Sequence, residues 1–131
     1  MKKAGERYTI CVDFDGVIHS YTSPWTSADE IPDPPVEGAI LWLWRMLQRF
    51  DVAVLSTRNH QRGGKRAMQH WLRQHGGDLY YESMGTRGLE EITFPTEKPA
   101  ALIYIDDRGY RFTGDNFPTA EEIHRLRPWN K

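Results

Sequence analysis

The sequence predicts an α/β fold in which helices cover both faces of a parallel β-sheet. Short apolar runs of the kind found in strands buried on both faces recur along the chain. Segments with helical apolar spacing separate these runs, and polar residues follow directly after them. Strands that alternate with helices form parallel sheets with two covered faces. The 131 residues, with a formal net charge of −1, fit one domain over residues 1–131.

Each element is predicted from its own local pattern. Apolar runs predict strands, and apolar residues every three or four positions predict helices. Gly76-Gly77 ends the second helix, and Thr119-x-x-Glu122 has the capping-box pattern that opens a last short helix. The predicted elements before that helix are a strand over residues 7–12, a loop over 19–35, a helix over 36–50, a strand over 52–55, a helix over 62–75, a third strand over 79–81, a mobile loop over 83–97 and a fourth strand over 101–105.

The composition favours a soluble cytoplasmic protein. Met1-Lys2-Lys3 is basic, but no long apolar segment follows before Asp13, so the N-terminus is not predicted to be a signal peptide. No stretch approaches the roughly 20 apolar residues of a membrane span, and we expect no membrane partner. Cys11, the single cysteine, lies inside the first apolar run and is expected to be a small buried hydrophobic residue.

An acidic pair directly follows the first predicted strand. Asp13 and Asp15 are two residues apart, and residues i and i+2 of an extended chain point the same way. Two carboxylates held close together repel, which raises one pKa or recruits a cation. Fold stability does not favour such a pair, so the sequence predicts chemistry on an electrophile, with a hard metal ion, at this position.

Polar groups also follow two other predicted strands. They are Ser56, Thr57 and Arg58 after the second strand, and Asp106 and Asp107 after the fourth. Parallel α/β sheets bind ligands beyond the carboxyl ends of their strands, where these groups converge with the acidic pair. The sequence therefore predicts a single polar site at that edge, which no one of the motifs alone would establish.

At this point the chain resembles the haloacid dehalogenase (HAD) superfamily of phosphohydrolases over nearly its whole length. DFDGVIH, residues 13–19, is similar to the first motif of the family, and VAVLST, residues 52–57, is similar to the second. Lys98 in TEKPAALIYIDD takes the position of the third motif's lysine, and IDD, residues 105–107, is similar to the fourth, acidic motif. The first motif is specific, and the four motifs come in the family's order. The resemblance implies a three-layer, Rossmann-like HAD fold.

The resemblance also implies catalytic roles. Asp13 would attack phosphorus and form an aspartyl phosphate, as carboxylates do in covalent phosphoryl transfer. Asp15 would protonate the leaving oxygen and then take a proton from the hydrolytic water. Ser56 would hydrogen-bond the transferring group, and Lys98 would neutralise the negative charge of Asp13 and the phosphate. The predicted substrate-binding residues are Ser56, Thr57, Arg58 and Lys98.

Mg²⁺ is the implied cofactor. The predicted ligands are Asp13, the backbone carbonyl of Asp15, and Asp106 or Asp107; which of the last two binds directly is open, and Asp106 is favoured. A phosphate dianion is repelled by a carboxylate nucleophile, so catalysis needs cations to offset that charge. A hard, oxygen-bound Mg²⁺ and a lysine supply them.

Substrate clues come from the missing cap and from one basic stretch. Residues 17–35 are too few for the folded cap of many HAD members, and residues 58–98 are filled by other elements, so we expect an open site. The predicted substrate is a nucleotide, a nucleic-acid end or a small phosphomonoester. No acidic residue lies between Leu55 and Asp78, and a positive rim would attract such anions. The basic residues that would form this rim are Arg58, His60, Arg62, Lys65, Arg66 and Arg73.

Three side chains near the predicted site could either contact substrate or have a purely structural role. Arg58 is predicted to hold a substrate phosphate, since arginine binds phosphate with two parallel hydrogen bonds, although a helix face open to solvent is an alternative for the basic stretch. Tyr21 and Trp25 could stack on a base or sugar, but packing over the core is favoured.

Three other kinds of protein are alternatives. A non-hydrolytic module could use the same edge to hold a phosphorylated ligand. A receiver domain also combines paired acids with Ser or Thr and Lys, but its phosphorylated Asp ends a middle strand, where this chain has Ser56-Thr57. A glycosyltransferase with a metal-binding DxD would need a longer chain. The phosphatase is the leading hypothesis.

Overall fold

The structure, a computed structural model, describes residues 6–130 and contains a three-stranded parallel sheet. The strands are β1 (Thr9–Val12), β2 (Asp51–Val54) and β3 (Ile103–Ile105), in the order β2-β1-β3. The α-helices are α1 (Ala39–Leu47), α2 (Gly64–Gly76) and α3 (Ala120–Arg125), and short 3₁₀ helices cover Thr57–His60, Gly77–Tyr80 and Leu89–Glu91. The predicted α/β class with a parallel sheet is confirmed.

The register of the sheet aligns the three strand ends. Val12 lies opposite Val54 on one side and Ile105 on the other. The Asp13 amide donates to the Ile105 carbonyl at 2.8 Å and so extends this alignment by one residue. The residues that follow each strand therefore emerge at the same edge of the sheet, as the sequence predicted.

One face of the sheet carries the main core. Ile10 and Val12 of β1 and Val52 and Val54 of β2 form one buried cluster with residues from α1 and α2, namely Leu43, Leu47, Met68, Trp71 and Leu72. The two helices contact each other, so they lie on the same face. Cys11 is buried, as predicted, and by strand alternation it points to the opposite face. None of the six residues of α3 is buried.

The predicted third strand, residues 79–81, is wrong. Gly77–Tyr80 form a 3₁₀ turn that continues from the end of α2, and Leu79 and Tyr80 pack partly against the core from it. Three apolar residues are too few to distinguish a strand from a buried turn. Leu79 and Tyr80 are therefore partly buried, as in a strand, although they lie in a turn.

The segment that takes the outer position beside β2 belongs to the predicted loop, residues 83–97. Thr93 forms a parallel bridge with Ala53, with its amide 3.1 Å from the Val52 carbonyl. Its neighbours Ile92 and Phe94 are buried, as is Leu89. The sequence Ile92-Thr93-Phe94 has β-forming residues, and this was the signal that could have placed it at the sheet edge.

The other boundaries differ by a few residues from those predicted. α1 is shorter at both ends, beginning after Gly38, which has a φ of +84°. α3 has the predicted capping box: the Glu122 amide donates to Thr119 Oγ1 at 3.1 Å, and the Thr119 amide donates to Glu122 Oε1 at 3.3 Å. Residues 19–35 contain no helix or strand. Across residues 6–130, none of the helices combines the length and apolar character that crossing a membrane would need.

Candidate active site

A cavity of about 290 Å³ lies at the carboxyl ends of the strands. The side chains that follow β1, β2 and β3 meet there with the loop after β1. The lining residues are Asp13, Asp15, Tyr21, Trp25, Ser56, Thr57, Asp107 and Arg108. Five of the eight predicted site residues thus share one cavity, and Arg58 lies directly behind it, bonded to Asp15. Asp106 and Lys98 are not part of the lining.

Asp13 lies where β1 ends and carries uncompensated negative charge. Burial is the main cause that raises its pKa, to about 7, and the carboxylates of Asp107, Asp15 and Asp106 raise it further. One hydrogen bond opposes them: the Phe14 amide donates to Asp13 Oδ1 at 2.8 Å. A carboxyl group in these surroundings binds either a proton or a cation near neutral pH.

Asp15, unlike Asp13, has partners that stabilise its charged form. Arg58 Nε donates to Asp15 Oδ2 at 2.9 Å, and Arg58 Nη2 donates to Oδ1 at 3.0 Å. His19 Nδ1 lies 2.8 Å from the same Oδ1. Burial raises the pKa of Asp15, but the hydrogen bonds from His19 and Arg58 and the charge of Arg58 outweigh it, so the pKa lies below its ordinary value. Asp15 is therefore an anion with both oxygens bound.

His19 supports Asp15 from a fully buried position. The Asp33 amide donates to His19 Nε2 at 3.1 Å, so Nε2 is an acceptor and Nδ1 carries the proton given to Asp15. The Asp33 carboxylate lies farther from Nε2, at 3.5 Å, and accepts shorter hydrogen bonds from the amide and hydroxyl of Ser23. Because the Asp33 amide lies closer to Nε2 than the Asp33 carboxylate does, we assign the tautomer that is protonated at Nδ1. His19 and Asp33 support the candidate site and were not among the residues predicted from the sequence.

Arg58 has a different geometry from the one expected for a substrate-binding residue. Its side chain is 1% exposed. Besides its two bonds to Asp15, its Nη1 donates to three backbone carbonyls of the loop after β1, those of Ser27, Ala28 and Glu30, at 3.2, 2.9 and 2.9 Å. All three guanidinium nitrogens donate hydrogen bonds within the protein, so this geometry favours a role in positioning Asp15. Its predicted contact with phosphate stays a prediction.

Ser56 and Thr57 reach the cavity from the end of β2. Ser56 is buried, and its Oγ accepts a hydrogen bond from the Arg58 amide at 3.1 Å, which caps the 3₁₀ helix that begins at Thr57. Because the hydroxyl accepts from the backbone, its own proton remains a donor for a ligand in the cavity. This suits the predicted contact between Ser56 and a phosphoryl group.

Asp107 and Asp106 occupy different environments. Asp107 lines the cavity, and Gly16 lies so close to it that a Cβ at Gly16 would overlap the Asp107 carboxylate. Gly16 also has a φ of +88°, which favours glycine. Asp106 Oδ1 instead accepts from the backbone amides of Arg108, at 2.8 Å, and Gly109, which forms the turn after β3. The geometry favours Asp107 over Asp106 as the direct metal ligand, contrary to our sequence preference.

The acidic groups at the cavity fit a hard cation in their chemistry. Asp13 and Asp107 supply carboxylate oxygens, and among residues 6–130 no hydrogen bond reaches the Asp15 carbonyl. Burial and the neighbouring carboxylates raise the pKa of Asp13, so a cation bound here would stabilise its charged form. In the described part of the chain, no three His, Cys, Asp or Glu side chains are arranged closely enough to form a metal cage. With Asp13 and Asp107 as its carboxylate ligands, a cation here would keep several water ligands, as Mg²⁺ commonly does.

Arg108, to which the sequence assigned no role, lines the cavity, whereas Lys98 does not. The Lys98 ammonium lies 4.3 Å from the centre of the Tyr104 ring, outside the cavity lining. Arg108 lines the cavity, and within residues 6–130 it has no acidic partner. Arg108 directly follows the acidic pair of the fourth motif, which is the sequence signal that could have identified it.

The predicted basic rim is exposed along α2 and the turn before it. His60, Arg62, Lys65, Arg66 and Arg73 are exposed, whereas Arg58 is buried. Within the described chain, none of the exposed five pairs with an acidic side chain.

A second cleft, of about 580 Å³, lies at the opposite end of the strands. It is larger, and its Arg87 pairs with Asp51 at 3.1 Å and with Glu91 at 3.2 Å. It contains none of the predicted site residues. The smaller cavity is therefore the candidate active site.

No protein family, curated protein or solved structure matches this chain. The resemblance to HAD phosphohydrolases therefore stays a prediction from the motifs, and the site is interpreted on its own geometry.

Proposed function

We propose that this protein is a Mg²⁺-dependent phosphomonoesterase that acts through a phosphorylated Asp13. The observation that carries the proposal is the meeting of Asp13, Ser56 and Asp107, from three separate strand ends, in one cavity. The four sequence motifs support it, and with them the assignment of the sheet to a three-layer HAD-like fold without a cap domain. The substrates that fit this proposal are nucleotides, polynucleotide phosphate ends and small phosphomonoesters.

Asp13 is the proposed nucleophile. Its carboxylate attacks phosphorus, the bond to the leaving oxygen breaks, and a water molecule then hydrolyses the aspartyl phosphate to inorganic phosphate. The Phe14 amide fixes one of its oxygens, at 2.8 Å, which leaves the other for attack. Positioning of this kind and charge stabilisation are the main sources of rate in phosphoryl transfer.

Mg²⁺ would be held by Asp13, Asp107 and the carbonyl oxygen of Asp15, and it would supply positive charge next to the phosphoryl oxygens. Arg108 and the Ser56 hydroxyl are the protein groups that we propose to bind those oxygens. Arg108 takes the part that the sequence assigned to Lys98, because Arg108 lines the cavity and Lys98 does not.

Asp15 is the proposed proton carrier. As an anion it is ready to accept a proton from the hydrolytic water. To donate a proton to the leaving oxygen first, it must lose part of its bonding to Arg58 and His19. Protonation of the leaving oxygen by Asp15 is therefore expected to be the slower of its two proton transfers. Substrates whose leaving group needs little protonation are expected to react fastest.

The test is phosphate release from a panel of nucleotides, sugar phosphates and end-phosphorylated oligonucleotides. It is run with Mg²⁺, with a chelator, and with the Asp13→Asn protein. Release that requires both Mg²⁺ and Asp13 supports the proposal. Equal release by the Asp13→Asn protein would contradict it.

A non-hydrolytic module that binds phosphorylated ligands is the second candidate. The observation that favours it is the Asp15–Arg58 pair, which keeps the expected general acid unprotonated. Mg²⁺-dependent binding of a phosphorylated ligand, measured by calorimetry and without any phosphate release over the same time, would favour this candidate over the enzyme.

A further inference from the structure

Two aromatic side chains, Tyr21 and Trp25, form what we call the aromatic wall of the cavity. Both lie in the loop after β1 and line the same space as Asp13 and Ser56. The cavity thus has a polar end, where the strands finish, and an aromatic side. A phosphate group alone needs only the polar end. The aromatic wall is available for the part of the substrate that carries the phosphate.

Trp25 is held in place although it is 41% exposed. The Arg58 guanidinium lies 4.6 Å from the centre of its ring, a cation–π contact. Arg58 is itself fixed by Asp15 and by the three loop carbonyls. The indole ring therefore rests on a rigid, buried support and is already ordered before a ligand arrives, which lowers the entropy cost of stacking against it.

Tyr21 adopts a backbone conformation that bulky residues rarely take. Its φ is +55°, in the left-handed region. The tail of the chain supports this conformation, since Asn130 Nδ2 donates to the carbonyls of Tyr21, at 3.1 Å, and Ser20, at 2.8 Å. Strain of this kind persists where surrounding contacts enforce it, and it is concentrated at functional sites. In this protein the strained residue is Tyr21, whose side chain lines the cavity.

The cavity volume limits what the wall can bind. About 290 Å³ is just below the range of roughly 300–1,000 Å³ for small-molecule sites. A phosphate together with one planar ring system suits this size better than an extended sugar chain or a folded protein. Aromatic side chains bind nucleobases by stacking, largely without regard to base identity.

We propose that Tyr21 and Trp25 bind the nucleobase of a nucleotide whose phosphate lies at Asp13. The inference rests on the proposed function for the position of the phosphate. It adds the class of leaving group: a nucleoside, either free or at the end of a polynucleotide. The wall then selects substrates by the ring they carry, while Arg108 and Ser56 hold the phosphate common to all of them.

The test compares nucleoside 5′- and 3′-monophosphates with ribose 5-phosphate, which has the same phosphate but no base. We expect kcat/KM for the better nucleotide to exceed that for ribose 5-phosphate by about 10- to 100-fold, the range of one base stack. Trp25→Ala removes most of this preference, and Trp25→Phe restores much of it. The ratio of the two substrates within each variant is the readout, because general damage through Arg58 lowers both values together.

Tyr81→Ala is the matched control. Tyr81 is also a half-exposed aromatic residue near an arginine, with Arg73 5.8 Å from its ring, and it lies outside the cavity lining. This change is expected to leave the preference for nucleotides as it is in the wild-type protein.

Binding of the same ligands to the Asp13→Asn protein, by calorimetry with Mg²⁺, separates the two proposals. If the wild-type protein releases phosphate from nucleotides no faster than from ribose 5-phosphate, the aromatic-wall inference is overturned and the proposed function stands. Trp25-dependent nucleotide binding, together with no phosphate release from any substrate by the wild-type protein, supports the inference and contradicts the proposed function. If nucleotides neither bind nor react, the inference is overturned.

Discussion

Arg58 and Asp15 form a partly buried ion pair with two hydrogen bonds across 43 positions of sequence, with Nε–Oδ2 and Nη2–Oδ1 distances of 2.9 and 3.0 Å. The pair joins the end of β1 to the turn after β2. It also fixes the loop that carries Trp25, through the three carbonyl bonds of Arg58. One side chain thus organises the proposed proton carrier and one wall of the cavity.

Arg58→Ala is therefore expected to destabilise the fold. Removing the buried Arg58 leaves the partly buried charge of Asp15 with His19 as its remaining side-chain partner, at a cost of up to about 3–5 kcal/mol. Chemical denaturation of the wild type and of Arg58→Ala measures this loss. Arg62→Ala is the control, because Arg62 is an exposed arginine of the same stretch, and it is expected to change the free energy of unfolding by less than about 0.5 kcal/mol.

The double variant Arg58→Ala/Asp15→Asn tests the pair itself. If the two residues stabilise the fold through each other, the double variant loses less than the sum of the single losses, by at least about 1 kcal/mol. Additive losses would mean that Arg58 acts through the loop carbonyls alone.

Asp13→Asn is expected to stabilise the protein in the absence of metal ions. The folded pKa of Asp13 is about 7 and its ordinary value is 3.8, so between these pH values the folded state holds a proton that the unfolded state does not. Wild-type stability therefore falls as pH rises from about 4 to about 7, and asparagine removes this loss.

Thermal unfolding in chelator measures the effect. Above pH 7 the melting temperature of Asp13→Asn is expected to exceed that of the wild type by about 3 °C or more, and near pH 4 the difference is expected to vanish. Adding Mg²⁺ is expected to raise the melting temperature of the wild type more than that of the variant. A variant that melts below the wild type at pH 8 in chelator would contradict this description of Asp13.

Asp107→Asn is expected to weaken Mg²⁺ binding more than Asp106→Asn. Asp107 lines the cavity beside Gly16, whereas Asp106 binds the backbone of its own turn. Calorimetric titration at pH 8 is expected to show an affinity lowered by about tenfold or more for Asp107→Asn. A larger loss for Asp106→Asn would restore the assignment favoured by the sequence.

Arg108→Ala and Lys98→Ala distinguish the two candidate cations for the phosphate. Because Arg108 lines the cavity and Lys98 lies over Tyr104, Arg108→Ala is expected to lower kcat/KM by about 10- to 100-fold, the range for a hydrogen bond to a charged group. Lys98→Ala is expected to have a smaller effect. The reverse order would show that Lys98 moves to the phosphate in the working enzyme.

Much of the site could be predicted because it depends on strand ends. Parallel strands in register bring their following residues to one edge, so Asp13, Ser56 and Asp107 could be placed together from apolar runs and short motifs. Arg58 and Arg108 could not be assigned in this way. Which of two nearby cations reaches the cavity depends on long-range side-chain packing, which local patterns do not contain.

The errors in the fold have a similar origin. Leu79 and Tyr80 are apolar and partly buried, but they pack from a 3₁₀ turn, while Thr93 takes the position beside β2. Local composition shows that a segment is buried and does not show which partner it pairs with. The edge of the sheet was therefore the least predictable part.

The proposed function depends most directly on a covalent phosphoryl group at Asp13. The decisive measurement is mass spectrometry of the peptide containing Asp13, after rapid acid quenching of the protein mixed with Mg²⁺ and its best substrate. The proposal predicts that this peptide carries a phosphoryl group, and that the corresponding peptide of the Asp13→Asn protein does not. Substrate turnover in which the Asp13 peptide stays unmodified at every quench time, or a phosphoryl group on another residue, would contradict it.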